Sequence, residues 1–250
     1  MSQASSGAAI ALRGVRKSYG KKTAVRGLAL EIPRGELFAF LGPNGAGKTT
    51  TIKMIVGLLR PDEGQVHVCG HTIGANGLAA KARLAYVPDL PFLYDKLTGR
   101  EFLYFVAEMF GVPPAERDRR LGGLLRRLDV GDYLDQLTES YSHGMKQKVV
   151  LAAALLHQPE VLVIDEPMVG LDPRTVRSVK ELFREHTQHG GAVFMSTHTL
   201  EIAEALADRI GIIHKGELIA VGTLDELRAR ALRQQSLEDI FLQLTEEADG

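Results

Sequence analysis

The sequence predicts an α/β protein built on a mainly parallel β-sheet with helices on both faces. From about residue 144 onward, apolar segments of strand length alternate with segments of helix length, an order typical of parallel sheets. Hydrophobic residues make up 45% and charged residues 24% of the 250-residue chain, as in an ordinary globular protein. The 26 glycines stand between apolar segments and therefore indicate many tight turns.

The N-terminal third is predicted to be mostly extended. Apolar stretches predict strands over residues 10–12, 24–32 and 36–41, followed by a helix over residues 47–58 that ends before Pro61. Residues 1–9 contain no basic cluster followed by an apolar core. We therefore expect a flexible N-terminal tail there rather than a signal peptide.

The middle of the chain changes to a helical pattern over residues 97–128. Thr98 and Glu101 have the spacing of a capping box, in which the two side chains accept hydrogen bonds from the opening backbone N–H groups. An apolar stripe with helical spacing follows: Phe102, Phe105, Val106, Met109 and Phe110. This pattern predicts a helical subdomain.

The last part of the chain alternates regularly. Helices are predicted over residues 144–156, 174–186 and 200–207, and strands over residues 161–164, 192–196 and 209–214. Two further segments, which begin at Thr223 and Ser236, each place an acidic residue three positions later, as helix starts do. They predict a C-terminal helical appendage beyond the sheet.

Composition limits the function. The formal net charge is −1, which gives no reason to expect nucleic acid as a partner. The single cysteine, Cys69, cannot form an intramolecular disulfide. The longest apolar run covers residues 149–156 and is far shorter than the roughly 20 residues of a membrane-spanning helix. Any role at a membrane is therefore expected to depend on a partner.

A glycine-rich segment follows the third predicted strand. It fits the pattern G-x-x-x-x-G-K-[ST] of phosphate-binding loops and stands between a strand and a helix, the context that this pattern requires. Backbone N–H groups of such a loop surround phosphate oxygens, while the lysine bridges the β- and γ-phosphates and the threonine hydroxyl binds Mg²⁺. The predicted ATP-binding residues are Gly42, Pro43, Asn44, Gly45, Ala46, Gly47, Lys48, Thr49 and Thr50.

Two carboxylates end the buried strand predicted over residues 161–164. The ends of such strands form the edge at which α/β proteins bind ligands. Asp165 is expected to join Thr49 in the magnesium shell, and Glu166 to orient or deprotonate the attacking water. These residues predict a nucleotide-hydrolysing site.

A third motif identifies a family. The segment Tyr141-Ser142-His143-Gly144-Met145-Lys146-Gln147 resembles the signature Leu-Ser-Gly-Gly-Gln of the ATP-binding subunits of ABC transporters. The chain is similar to that family over nearly its whole length, with the motifs in the same order. The resemblance implies a P-loop NTPase core with an antiparallel β subdomain, a helical subdomain inserted over about residues 90–141, an ABC ATPase domain over 10–222 and the appendage over 223–250.

The resemblance also implies that two chains enclose two ATP molecules head to tail. Ser142 can cap the following helix, and Ser142 and Gly144 would then contact the nucleotide held by the other chain. Tyr19 resembles the aromatic residue that stacks on adenine. Asp172 resembles a polar contact across the dimer, and His198 resembles the histidine that contacts the γ-phosphate.

The chain departs from the family pattern at three positions. His143 replaces the first signature glycine, Met145 replaces the signature glutamine, and Asp89 stands where the family usually has a glutamine. We expect Asp89 to bind the magnesium shell; the alternative is that it turns toward the groove for the membrane subunit.

A separate segment contains three residues of the types that bind zinc. His67, Cys69 and His71 would lie on one face if the strand stayed extended, but Gly70 favours a turn there over a metal site.

The predicted function is that of an ATP-hydrolysing motor subunit using ATP and Mg²⁺. By resemblance, the signature, Asp89 and the C-terminal segment are most similar to the ABC-2 type exporters. The implied partners are a second ATP-binding subunit, identical or different, and a separate transmembrane permease whose coupling helix docks on the loop 90–94. The implied location is the cytoplasmic face of a membrane. Two alternatives remain: a soluble ABC ATPase, and an assembly module that hydrolyses little ATP.

Overall fold

Two β-sheets organise the chain, and helices cover the larger sheet. The computed structural model describes residues 7–74, 77–230 and 236–247. The strands are β1 (Ala8–Tyr19), β2 (Lys22–Pro33), β3 (Leu37–Leu41), β4 (Glu63–Val68), β5 (His71–Thr72), β6 (Leu84–Val87), β7 (Val161–Asp165), β8 (Ala192–Thr197), β9 (Arg209–His214) and β10 (Glu217–Gly222).

The helices lie between and after these strands. They are α1 (Lys48–Ile55), α2 (Leu78–Lys81), α3 (Gly99–Met109), α4 (Pro114–Leu128), α5 (His143–Leu156), α6 (Pro173–Gln188), α7 (Leu200–Leu206), α8 (Leu224–Arg230) and α9 (Leu237–Glu247). Two 3₁₀ turns, Gly131–Tyr133 and Thr138–Ser140, lie between α4 and α5. No helix within the described ranges is both long and apolar enough to cross a bilayer.

The larger sheet confirms the predicted mainly parallel architecture. Its strand order is β10-β9-β3-β8-β7-β6, and every neighbouring pair is parallel except β9 with β10. The smaller sheet, in the order β2-β1-β4-β5, is antiparallel throughout. Strands β3 and β7 are buried at every residue, as strands covered on both faces must be.

The core lies on both faces of the parallel sheet. Leu37, Ala39 and Leu41 of β3 face the cluster formed by the helices, whereas Phe38 and Phe40 face the antiparallel sheet and α1. On that second face the rings of β3 pack on Phe194 of β8, with centroid distances of 5.9 and 5.4 Å. Alternation along one strand thus joins the two packing layers.

The predicted helix starts are confirmed by their hydrogen bonds. The Thr98 hydroxyl accepts from the Glu101 N–H at 3.2 Å, and the Glu101 carboxylate accepts from the Thr98 N–H at 2.8 Å. The same reciprocal pair opens α8 between Thr223 and Glu226. Before α9, the Ser236 hydroxyl accepts from the Asp239 N–H at 3.2 Å. Local side-chain chemistry therefore fixes where these helices begin.

Several boundaries differ from prediction. Strand β1 begins at Ala8 and runs to Tyr19, so Ala8 and Ala9 of the predicted tail are paired in a sheet, while residues 1–6 of that tail lie outside the described residues. Strands β5, β6 and β10 and helix α2 were not predicted. Each has at most six residues, too few for a clear periodicity of its own.

The apolar stripe predicted on α3 is only partly buried. Phe102 is 9% exposed, whereas Phe105, Met109 and Phe110 are 42%, 64% and 37% exposed. The buried face of α3 is formed by Phe102, Leu103 and Ala107 instead. The subdomain therefore presents apolar side chains at its surface, because a stripe wider than the packed face leaves some of its residues uncovered.

Gly211 of β9 offers a test of how tightly the two layers pack. A Cβ atom at this position would lie 2.6 Å from Cζ of the buried Phe38 ring. We expect Gly211→Ala to lower the free energy of unfolding by about 1–3 kcal/mol in a denaturant titration, because overpacking a core is costly. As a control, Gly123→Ala within α4, where a Cβ has open space, should raise it by about 0.5–1 kcal/mol. Equal effects of the two substitutions would contradict the packing described.

Candidate active site

Three neighbouring strands of the parallel sheet end at one edge. Leu41 at the end of β3 pairs with Thr197 of β8, and Asp165 at the end of β7 pairs with Ser196. The loop that follows β3 therefore lies beside the carboxylates that follow β7 and beside the turn that follows β8. Ligands of α/β proteins bind at this carboxyl edge of the strands.

The loop between β3 and α1 is held by close backbone approaches. Gly47 has φ 112°, and a Cβ there would lie 2.5 Å from the Ala24 carbonyl oxygen of β2. A Cβ on Gly42 would lie 2.5 Å from the Ile213 carbonyl oxygen of β9. The Gly216 N–H donates to the Ala46 carbonyl at 2.9 Å. Segments far apart in the sequence thus fix the loop, which explains why glycine stands at two of its positions.

Lys48 begins α1 and lies across this loop. Its ammonium donates to the carbonyl oxygens of Gly42 at 2.5 Å and Pro43 at 3.2 Å. Only 8% of the residue is exposed, and burial lowers the pKa of the ammonium, while the charges of Glu166 and Asp165 act in the opposite direction. A buried cation of this kind is suited to a strongly anionic ligand.

A cleft of about 340 Å³ gathers most of the predicted nucleotide residues. It combines side chains from the end of β1, the start of β2, the loop before α1, the turn after β6 and the end of β7. Its lining consists of Tyr19, Lys22, Ala24, Asn44, Gly45, Gly47, Lys48, Thr49, Thr50, Asp89, Asp165 and Glu166. Tyr19 is 52% exposed, so its ring is free to meet a ligand. Of the predicted loop residues, Gly42, Pro43 and Ala46 support the cleft without lining it.

Asp165 is buried at the floor of this cleft. The Ser196 hydroxyl donates to one carboxylate oxygen, and the Thr49 hydroxyl lies 3.4 Å from the other. Burial is the main cause that raises the pKa of Asp165, and the negative charges of Glu166 and Asp89 raise it further. Additional positive charge beside Asp165 would therefore be favourable.

Glu166 is held by the turn that follows β8. One carboxylate oxygen accepts from the His198 backbone N–H at 3.1 Å and lies 2.7 Å from His198 Nδ1, and the Thr197 hydroxyl donates to the other at 3.1 Å. Glu166 has φ 51°, which is uncommon for a residue other than glycine. The structure thus brings His198 to Glu166, although His198 does not line the cleft itself.

The signature segment lies elsewhere on the chain. Ser142 caps α5, where its hydroxyl accepts from the Met145 N–H at 3.3 Å, and its side chain is exposed. A Cβ on Gly144 would lie 2.4 Å from the Gly170 carbonyl oxygen, and a Cβ on Gly170 would lie 2.6 Å from the His143 ring. The first turn of α5 is therefore packed directly on the loop before α6. Neither Ser142 nor Gly144 lines the cleft.

Asp172 caps α6 in the same region. It accepts from the Thr175 N–H at 2.9 Å and from the Thr175 hydroxyl at 2.6 Å, and the Lys148 ammonium lies 3.3 Å away. These hydrogen bonds, and next the Lys148 charge, hold the pKa of Asp172 well below its usual range. Within one chain Asp172 is thus a capping residue, outside the cleft.

Sequence reasoning did not assign Ser196, Thr197, Lys22 or Ala24 to the site. The two hydroxyl residues end the buried strand β8, where their polarity was a usable signal for the carboxylate edge. Lys22 and Ala24 belong to the other sheet, and only its docking on the parallel sheet brings them to the cleft.

The histidine-rich segment does not form a metal site. Cys69 and Gly70 both have positive φ, 49° and 77°, and make the tight turn between β4 and β5. His67 pairs with Thr72, while His71 pairs with Val68, so the two histidines lie on opposite faces of the hairpin. In the part of the chain that the structure describes, no three His, Cys, Asp or Glu side chains are grouped to hold a metal.

Comparisons with known proteins identify the family. The model of the family described as "ABC transporter" matches residues 25–169. The linearmycin resistance ATP-binding protein LnrL of Bacillus subtilis is 41% identical over 86% of this chain and 70% of its own length. The Nod factor export ATP-binding protein I of Ralstonia nicotianae is 38% identical over 87% of this chain and 68% of its own length.

A solved structure described as the ATP binding subunit of an ABC transporter also superimposes on the chain. The TM-score is 0.91 with 36% sequence identity, covering 94% of this chain and 99% of that one. The phosphate-loop cleft, the two carboxylates at its floor, the capped signature helix and these relatives lead to one assignment. The chain belongs to the ABC transporter family, as one of its ATP-binding subunits.

Proposed function

We propose that the chain is an ATP-hydrolysing motor subunit that drives a separate membrane subunit. The observation that carries this proposal is that Lys48 and Thr49 of the phosphate loop line the same cleft as Asp165 and Glu166. A phosphate loop alone would bind a nucleotide. The carboxylates beside it add the groups that hydrolysis requires.

ATP would bind with its phosphates in the loop between β3 and α1. Backbone N–H groups and the N-terminal end of α1 favour anions there, and the Lys48 ammonium would exchange its carbonyl partners for phosphate oxygens. The exposed Tyr19 ring at the end of β1 would stack on the adenine. Lys22 lies in the same cleft and adds positive charge near the nucleotide.

Mg²⁺ fits the donors at the floor of the cleft. Thr49 and Asp165 offer hard oxygen ligands. The cleft is lined by three carboxylates and two lysines, so its negative side chains outnumber its positive ones. When bound, the metal neutralises charge on the phosphates. We propose Asp89 as a further group of the magnesium shell, because it follows β6 beside β7 and already acts on the pKa of Asp165.

Glu166 would act as the general base. A water between Glu166 and the terminal phosphate would lose a proton to the carboxylate as its oxygen bonds to phosphorus and the bond to ADP breaks. His198 holds the carboxylate through both its backbone N–H and its ring, and its side chain is 62% exposed. We propose that this ring contacts the γ-phosphate when ATP is bound. Inorganic phosphate and ADP would be the products.

A second chain would complete each site. Ser142 is exposed at the N-terminal end of the 14-residue helix α5, outside its own cleft, so this end of the helix is available to an anion on another molecule. We propose a head-to-tail dimer in which Ser142 and Gly144 of one chain contact the ATP in the cleft of the other. Asp172, on the loop packed against Gly144, would lie at the same interface.

An exposed apolar surface would receive the membrane subunit. It consists of Leu90, Phe92 and Tyr94 from the loop after β6 and Phe105 and Met109 from α3, and we call these five residues the docking patch. Their exposed fractions are 76%, 70%, 48%, 42% and 64%. The Tyr94 ring contacts Phe92 and Phe105 edge to face at 5.6 and 5.8 Å. Exposed apolar side chains that contact one another, as Phe92, Tyr94 and Phe105 do here, are typical of an interaction site.

The direction of transport is proposed from the relatives. Their names refer to linearmycin resistance and Nod factor export, and the signature resembles that of ABC-2 type exporters. We therefore propose export, at the cytoplasmic face of a membrane.

We also propose a division of the chain into an ATPase domain over 10–222, with a helical insertion over about 90–141, and an appendage over 223–250. Residues 231–235 and 248–250 of the appendage lie outside the described residues.

One observation favours a second candidate. Asp89 adds a negative charge beside Asp165 and Glu166, and such charge opposes closure around ATP. The alternative is therefore an assembly module that binds ATP and hydrolyses little of it. Phosphate release by the purified chain with Mg²⁺ and ATP separates the two candidates, because only the motor turns over repeatedly.

Glu166→Gln tests the general base. We expect the rate of phosphate release to fall about 10²- to 10⁴-fold while the affinity for ATP is retained, because an amide cannot accept the water's proton. Phosphate release and a nucleotide-binding titration measure the two effects. Glu160→Gln, a change of the same type on a residue outside the cleft, serves as the control. Near-normal turnover of the Glu166 variant would show that another group is the base.

Mixing two inactive variants tests the shared sites. Ser142→Arg should abolish ATP-driven dimerisation, and Lys48→Ala should abolish ATP binding, because each removes one half of a site. A mixture of the two should regain activity through one intact site, formed by Lys48 of one chain and Ser142 of the other. Ser140→Arg, on an exposed serine two positions earlier, should leave activity unchanged. A mixed dimer without activity would contradict the proposal that one composite site suffices.

Asp89→Asn tests the magnesium role of this residue. Loss of the charge should raise the Mg²⁺ concentration needed for half-maximal hydrolysis, while ATP binding without metal stays nearly unchanged. Asp132→Asn, on an exposed turn outside the cleft, is the matched control. An unaltered magnesium dependence would exclude Asp89 from the metal shell and favour its role at the groove for the membrane subunit.

A further inference from the structure

The residue before Ser142 is the centre of a hydrogen-bond cluster that the nucleotide site does not use. Tyr141 stands where the family signature has a leucine, and its ring is buried, with 6% exposed. Its hydroxyl donates to the Tyr133 carbonyl at 2.7 Å and accepts from the Gly99 N–H at 3.2 Å. A leucine could make neither bond.

The structure around Gly99 is shaped to admit this hydroxyl. A Cβ at position 99 would lie 2.5 Å from the Tyr141 hydroxyl oxygen, so a side chain there would displace the hydroxyl. Gly99 does not have a positive φ, and glycine is a poor choice for the first turn of a helix. Space for the hydroxyl, rather than backbone conformation, therefore explains the glycine.

Tyr141 and its neighbours satisfy the opening donors of α3. The Gly99 N–H reaches the Tyr141 hydroxyl, and the Arg100 N–H donates to the Leu134 carbonyl at 3.0 Å. The first four N–H groups of a helix have no partners within the helix, so these contacts replace water at that end. The beginning of α3 is thereby fixed to the segment that leads into the signature.

The same two segments are joined further by residue Thr138, which is completely buried. Its N–H donates to the Leu97 carbonyl at 2.9 Å and its hydroxyl to the Tyr94 carbonyl at 2.8 Å. Tyr94 belongs to the docking patch. The Tyr141 N–H donates to the Thr138 carbonyl at 3.2 Å, so a continuous set of hydrogen bonds connects the Tyr94 backbone of the docking patch, the start of α3 and the residue that precedes Ser142.

We propose that Tyr141 is a positioning residue whose hydroxyl holds Ser142 in register with the first turn of α3 and with the docking patch. A displacement of the patch would move the start of α3, and Tyr141 would transfer that displacement to the cap of α5. The proposal deepens the proposed function and rests on it, because Ser142 is assigned there to the ATP of the second chain.

The matched pair Tyr141→Phe and Tyr133→Phe tests the proposal. The two rings contact each other edge to face at 5.0 Å, but the Tyr133 hydroxyl is buried with no hydrogen-bond partner among the described residues. Both variants lose one buried hydroxyl, and only the first loses the connection. Gly99→Ala places a methyl group against the Tyr141 hydroxyl and so disrupts the same contact at the other residue. It serves as a second variant.

Hydrogen exchange of the nucleotide-free chain gives the first readout. In Tyr141→Phe and Gly99→Ala, the amides in the first turns of both α3 and α5 should exchange about fivefold faster or more, as loss of one hydrogen bond predicts. Tyr133→Phe should exchange like the unmodified chain in both turns. Faster exchange confined to α3 would overturn the proposal, because Ser142 would then be positioned independently.

Dimerisation gives the second readout. In a Glu166→Gln background with Mg²⁺ and ATP, Tyr141→Phe should weaken dimerisation about fivefold in sedimentation velocity without changing the ATP affinity of the monomer. Added to Ser142→Ala, it should cause no further loss, because a residue that acts through Ser142 is not additive with it. Additive losses would overturn the proposal.

The two readouts separate failure of this proposal from failure of the proposed function. If the Glu166→Gln parent forms no ATP-dependent dimer, the head-to-tail function fails, whereas hydrogen exchange still decides whether Tyr141 fixes Ser142. If the parent dimerises and Tyr141→Phe behaves like Tyr133→Phe in both readouts, the function stands and Tyr141 has no positioning role.

Discussion

Parallel pairing of β3 with β8, and of β8 with β7, is the constraint on which the site depends. Because Leu41 is in register with Thr197 and Asp165 with Ser196, three chain segments end side by side. A shift of one residue in either pair would turn the polar side chains toward the opposite face of the sheet. The apolar core on both faces of these strands makes such a shift costly, since it would move Asp165 away from its hydroxyl partners and toward apolar side chains.

Close backbone contacts convert this edge into a shaped cleft. Strand β2 of the antiparallel sheet reaches the phosphate loop through the contact of Ala24 with Gly47, and β9 reaches it through Ile213 and Gly42. The signature helix is seated in the same manner, with Gly144 against Gly170. Each contact leaves no room for a side chain, so the position of one segment determines that of the other. These glycines therefore allow distant segments to pack closely against one another, in addition to allowing the turns themselves.

Charge sets the chemical character of the cleft. Lys48 and three carboxylates lie in one partly buried space, and burial lowers the pKa of Lys48 while it raises that of Asp165. Both shifts express the cost of keeping ions away from water. A triphosphate would place negative charge beside Lys48, and a divalent cation would place positive charge beside the carboxylates. The protein alone leaves both kinds of group incompletely compensated. The Ser196 hydroxyl donates to the Asp165 carboxylate and the Thr197 hydroxyl to the Glu166 carboxylate, so both carboxylates are held in place.

The sequence by itself determined most strands and helices of the parallel core, the helix caps and the loop that binds phosphate, but not the edge strands β6 and β10. These features depend on residues close together in the chain, so periodicity and spacing suffice to predict them. Thr98 with Glu101, and Ser142 with the Met145 N–H, are of this kind. The carboxylates Asp165 and Glu166 were predictable because they end an apolar strand.

Only the tertiary structure decided which surfaces pack and which remain exposed. Periodicity placed Phe105 and Met109 on a stripe of α3, but whether another element covers that stripe depends on segments elsewhere in the chain. The pairing that puts His67 and His71 on opposite faces, and the contact of the Tyr141 hydroxyl with Gly99, likewise join positions whose proximity no local pattern encodes. Packing between distant segments is set by the whole fold, and for that reason these contacts could not be predicted from the sequence.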